Sequence, residues 1–144
     1  MILGTDSRRL GIFFFYDGEG IVDRYVEVML EGMKTQLAEL VVDVNGKLTD
    51  QGRVALTRYA DHLLVRENRG LDAWAYKAAL DHYGWSALTQ FDEIVLFNAT
   101  IMGPVYPFEE MFSEMAGRGL GFRGPRLGHA PPSEYRGEMD ELHP

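Results

Sequence analysis

Apolar positions along the chain follow two rhythms in turn. LGIFFFY (10–16) is an unbroken apolar and aromatic run, the pattern of a strand buried on both faces. It stops at Asp17-Gly18-Glu19-Gly20, a turn composition. The period then lengthens, with Ile21, Tyr25, Met29, Met33 and Leu37 recurring every four residues and Val22, Val26 and Leu30 beside them. That spacing predicts an amphipathic helix of about five turns. VVDVN (41–45) predicts a second strand, closed by Asn45-Gly46. Thr49 and Asp50 can cap a short helix running to Tyr59 or Ala60. Residues 62–67 predict a third strand, followed by the charged turn RENRG (66–70) and a helix over 71–83 stopped by Gly84. EIVLFN (93–98) predicts a fourth strand, and after a Gly-Pro loop residues 108–116 form a last short helix ended by Gly117.

Strands and helices thus alternate, which predicts an α/β fold: a Rossmann-like parallel sheet with helices on both faces. The ordered domain is expected over residues 8–116. Residues 117–144 hold six glycines and four prolines without periodicity, so they read as a disordered tail.

Composition narrows the class. With 144 residues, 46% apolar and 25% charged, the chain suits a single globular domain. A net charge of −8 argues against a general nucleic-acid binder, while leaving room for a local basic pocket around Arg66 and Arg69. The absence of cysteine excludes disulfides, thiolate chemistry and Cys-based zinc sites. No apolar run approaches the roughly 18 residues of a membrane span, and the N-terminus lacks the order of a signal peptide. A cytoplasmic address is therefore expected.

Candidate chemistry gathers at the strand ends, because open parallel sheets bind ligands outside the carboxyl ends of their strands. The four ends are Asp17-Gly18-Glu19-Gly20, Asp43-Val44-Asn45-Gly46, Arg66-Glu67-Asn68-Arg69-Gly70 and Asn98-Ala99-Thr100. Acids and amides bind hydroxyls and arginine binds phosphate oxygens, so this ring suits a ligand carrying both. Plainer readings stand beside it. DGEG is a simple turn or an anion-binding nest, and Asn45-Gly46 is more often a plain turn. Asp72 also favours its own helix N-terminus, and Trp74 and Tyr76 are core or rim residues as readily as a stacking platform. Dinucleotide and Walker spacings are absent, as are a Ser-His-Asp order and a histidine pair at ligand spacing. No residue stands out as catalytic.

Taken in order, FFFYDGEG, VVDVNG, LLVRENRGLDAWAYKAAL and FDEIVLFNATIMGPVYPFEEMFSEM resemble the rhamnan synthesis protein F family, from about Arg9 to Ala116. These are glycosyltransferase-like proteins of rhamnose-containing cell-surface polysaccharide (O-antigen or cell-wall) biosynthesis. The resemblance implies half of a GT-A-type domain and transfer of a sugar, such as rhamnose from dTDP-rhamnose, to a polysaccharide acceptor. It assigns substrate binding to Asp17 and Asp43 (base or ribose), Arg66 and Arg69 (diphosphate), and Asn68 and Asp72 (sugar hydroxyls). Asn45, Asn98 and Thr100 complete the ring. Such an enzyme would work in the cytoplasm, peripheral to the inner face of the membrane.

The sequence departs from this pattern twice. Related transferases carry an aspartate after the fourth strand, where Mg²⁺ or Mn²⁺ bridges the diphosphate, and Ala99 stands there instead. Alanine cannot ligate a hard cation, although Asn98 and Thr100 offer neutral oxygens. The family also continues into an acceptor-binding region, where members often read D-F-W-G-L-T. LGFRGPRLGH (120–129) looks like an altered version of that, which predicts a truncated or frameshifted member. Two further readings follow: a catalytically inactive nucleotide-sugar-binding fragment, or an interaction module that self-associates through an exposed sheet edge.

Overall fold

A computed structural model describes residues 7–100, 103–104 and 106–116. Among the described residues eight elements alternate: β1 (Arg9–Tyr16), α1 (Arg24–Lys34), β2 (Glu39–Asn45), α2 (Asp50–Thr57), β3 (His62–Arg66), α3 (Leu71–Leu88), β4 (Glu93–Asn98) and α4 (Phe108–Met115). The sheet order is β3-β2-β1-β4, and every pairing is parallel. The fold is the expected Rossmann-like α/β sheet. The tail expected over 117–144 lies outside the described residues.

The unbroken apolar runs occupy the two central strands because both of their faces are covered. On one face Phe13, Phe15, Leu40, Val42 and Val44 pack against Val26, Met29 and Leu30 of α1 and Leu56 of α2, with Phe108 of α4 at the margin. On the other, Leu10, Ile12 and Val41 meet Ala79 of α3, flanked by Tyr76, Leu80 and Tyr83. Fully burying each large apolar side chain contributes about 1.5–3 kcal/mol, so these two layers hold the sheet together. At the amino edge, buried Arg9 donates to Glu93 (Nε–Oε2 2.7 Å) and lies 4.4 Å over the Phe112 ring, joining β1, β4 and α4.

Two helix boundaries differ from the periodicity. The pattern begins at Ile21, but α1 starts at Arg24, because the Ile21 N–H is held by Asp17 Oδ2 (2.9 Å) and its side chain stays exposed. At the other end Thr35 Oγ1 donates back to the Gly32 carbonyl (2.8 Å), and Leu37 leaves the helix to fill the space over Gly11. A Cβ on Gly11 would meet Leu37 Cδ1 at 2.3 Å, so a larger residue there would push the Leu37 side chain out of this space. Gly84 does break α3, with φ +74°, yet one further turn follows before the Thr89 N–H closes on Trp85 O (3.1 Å). The cap at Thr49 forms as expected, its Oγ1 accepting from the Gly52 N–H (3.0 Å). Among the described residues, no helix is long and apolar enough to cross a membrane.

Candidate functional site

From β1 the chain moves through α1 and α2 toward β3, then crosses the opposite face in α3 to reach β4 on the far side of β1. The connections therefore diverge between β1 and β4, the point at which open α/β sheets place a ligand crevice outside the strands' carboxyl ends. Asp17 follows β1 at this point. Its Oδ2 accepts from the Glu19 and Ile21 N–H groups (3.0 and 2.9 Å), and these bonds hold its carboxyl below the usual range. Gly20, at φ +72°, presses so closely on Lys47 and Leu48 that a Cβ would fall 2.6 Å from the Lys47 carbonyl carbon. The DGEG segment is thus a closed turn, whose inward N–H groups are bound by its own aspartate.

The second group sits beneath the start of α3. Asp43, Asn45 and Arg66 share the face of the sheet that α3 covers, since they alternate with Val42, Val44 and Val65 along their strands. Asp43 has no exposed surface, and neither carboxylate oxygen has a hydrogen-bond partner. Arg66 Nη1 approaches Oδ1 only to 3.8 Å. Burial pushes the Asp43 carboxyl up to about 6, against the opposing pull of Arg66. Arg66 donates instead to Asn45 Oδ1 (3.1 Å), and Asn45 Nδ2 reaches the Arg69 and Leu71 carbonyls, each at 3.4 Å. Asn45 therefore clasps the 67–71 turn to the sheet, through two bonds long enough to be weak.

That turn is shaped by its glycine. Gly70 and Leu71 both have positive φ (+71° and +53°), and a Cβ on Gly70 would lie 1.9 Å from Trp74 Cγ. The two arginines expected to act together are parted by it: the Arg66 side chain is three-quarters buried, whereas Arg69 is exposed and, among the described residues, pairs with Glu67 at 3.6 Å. Asn68 is exposed beside Gly46. One helical turn after Asp72, Tyr76 faces Asn98; burial first, then the Asp72 charge, pushes its phenol up to about 12. Asn98 Oδ1 accepts from the Thr100 N–H and hydroxyl (3.1 and 2.5 Å), a closed Asx turn. The Ala99 carbonyl accepts from the Tyr25 hydroxyl (3.3 Å).

The turn thus gathers Asp43, Asn45, Arg66, Asn68, Arg69 and Asp72, with Asn98 alongside through Tyr76, while Asp17 is engaged with its own loop. The position of Tyr76 between Asp72 and Asn98 was missed by sequence reasoning. Its spacing of four residues from Asp72 on one helix was the available clue. Among the described residues no three histidines or carboxylates come together, and the loop after β4 presents neutral oxygens already engaged with each other.

An open, all-parallel sheet with polar groups collected at its carboxyl ends defines a Rossmann-like α/β domain. The family model for rhamnan synthesis protein F matches residues 40–129, and the chain belongs to that family. The matched span runs from β2 through α4 and 13 residues beyond Ala116; β1, with its FFFYDGEG motif, lies before it. No curated protein and no solved structure matches the chain.

Proposed function

We propose that this domain binds the nucleotide-sugar donor of a glycosyl transfer in rhamnan synthesis. The observation that carries this reading is Asp43, a fully buried carboxylate with two unpartnered oxygens under a weakly clasped turn at the carboxyl end of the sheet. Such a group costs stability, and its retention at a ligand-binding position is explained if ligand N–H or O–H donors complete it. Access requires the 67–71 turn to lift, which breaks the two 3.4 Å bonds from Asn45 and strains the bond from the Trp74 N–H to the Gly70 carbonyl (3.2 Å). Arg69, exposed at the turn's outer side, then meets the diphosphate, and Asn68 and Asp72 take the sugar hydroxyls. In the transfer, an acceptor hydroxyl oxygen bonds to the anomeric carbon as the bond to the diphosphate oxygen breaks, and the hydroxyl proton is released to solvent. The diphosphate departs with the electron pair, and its developing charge is what Arg69 stabilises. Asp17 organises the crevice floor from its closed turn.

Calorimetric titration with dTDP-rhamnose and matching UDP- and GDP-sugars, each with and without Mn²⁺, tests the reading. One nucleotide sugar should bind selectively, and Arg69→Ala should weaken it roughly tenfold, as expected for one lost charge-assisted contact, without changing stability. Failure of every donor to bind a folded chain refutes it. A second reading, binding without transfer, is favoured by Ala99 and the engaged Asn98; donor binding with no hydrolysis or transfer would select it.

A further inference from the structure

β4 is an edge strand of an unusual kind. Among the described residues it pairs only with β1, and its Ile94–Phe97 stretch carries no charge, proline or bulge to blunt the free side. Natural edges normally carry such protection, because a row of unpaired backbone groups invites another strand. Beside this edge, on the face covered by α3, runs an open groove of about 780 Å³ lined by Tyr76, Leu80, Trp85, Leu88, Ile94 and Leu96. Its apolar residues are left in water: Trp85 is 85% exposed, Leu96 47% and Ile94 39%.

We infer that a second copy of this chain occupies the edge and groove, through antiparallel β4–β4 pairing about a two-fold axis at Leu96. An antiparallel pair places residues of like facing opposite each other, so Leu96 meets the second copy's Leu96 and Val95 meets Phe97. Ile94 then lies opposite Asn98 and Glu93 opposite Ala99, so no like charges meet across the strands. The two grooves become one, with a Trp85 at either end. Trp85 alone brings roughly 200 Å² of exposed surface. With Ile94, Leu96 and the strand edge, the two copies together bury about 1,000 Å², the low end for a specific interface. Each chain carries a net charge of −8, and this repulsion opposes association. The expected product is a micromolar, salt-strengthened dimer.

Sedimentation analysis of the full chain from about 1 to 100 µM tests this. A monomer–dimer equilibrium should appear and tighten as added salt screens the repulsion. Leu96→Lys should weaken it at least about 100-fold and Trp85→Ser about tenfold, both with unchanged thermal unfolding of the monomer, since these side chains are substantially exposed. A chain that stays monomeric throughout overturns the inference, as does a dimer that survives Leu96→Lys. If it is monomeric, iodide quenching of Trp85 in a Trp74→Phe background shows whether the chain's own remaining residues cover the groove instead.

Discussion

Asp43 gives the sharpest test of how the site is built. Its carboxyl rises from 3.8 to about 6 on folding, chiefly because burial disfavours the charge. The folded state therefore holds this proton more tightly than the unfolded state. Below about pH 4 the acid is protonated in both states and carries little penalty; as pH rises through 6 that stability is lost. That rise corresponds to about 3 kcal/mol at pH 7.5 and to less than about 1 kcal/mol at pH 4. Asparagine has the shape of the protonated acid, so Asp43→Asn removes the ionisation penalty and leaves the packing unchanged. Urea unfolding at both pH values should find the variant more stable by about 2–3 kcal/mol at pH 7.5, with the gap nearly closed at pH 4. The same variant should lose donor binding, since an amide replaces one acceptor oxygen with a donor. A variant less stable than the parent at pH 7.5, or a gap independent of pH, would refute the reasoning.

Other positions separate structural from ligand-contacting roles. Arg66→Met should destabilise by about 2–4 kcal/mol, because it leaves the buried Asp43 charge without its counter-ion and Asn45 Oδ1 without its donor; chemical denaturation measures this. Exposed Arg69 gives no such loss, so the two arginines should divide between stability and binding. Gly70→Ala places a Cβ into Trp74 at a positive φ, and should cost about 1–3 kcal/mol and loosen the turn. Faster amide exchange at Arg69 and Trp74, whose N–H groups bond the Glu67 and Gly70 carbonyls, would report the loosening, and unchanged exchange would count against the turn's dependence on this glycine.

The order of the elements was legible because it depends on local pattern. Strands buried on both faces read as LGIFFFY and LVVDV, and four-residue spacing marked α1. The boundaries at Ile21 and Leu37 were not legible, since Asp17 and Gly11 recruit those residues from outside the helix. The candidate site was visible in part: strand-end position alone singled out Asp43, Asn45 and the 66–70 turn. What spacing cannot convey is the facing of each side chain once α3 lies across the sheet. Only there do Arg66 and Arg69 part company, Asp43 lie buried without a hydrogen bond and with Arg66 no nearer than 3.8 Å, and Tyr76 come to face Asn98. The same holds for β4, whose run EIVLFN resembles a central strand. Sequence determined that it would be a strand, but the sheet order made it an edge, because α3 carries the chain across to the outer side of β1 and leaves the β4 face half bare.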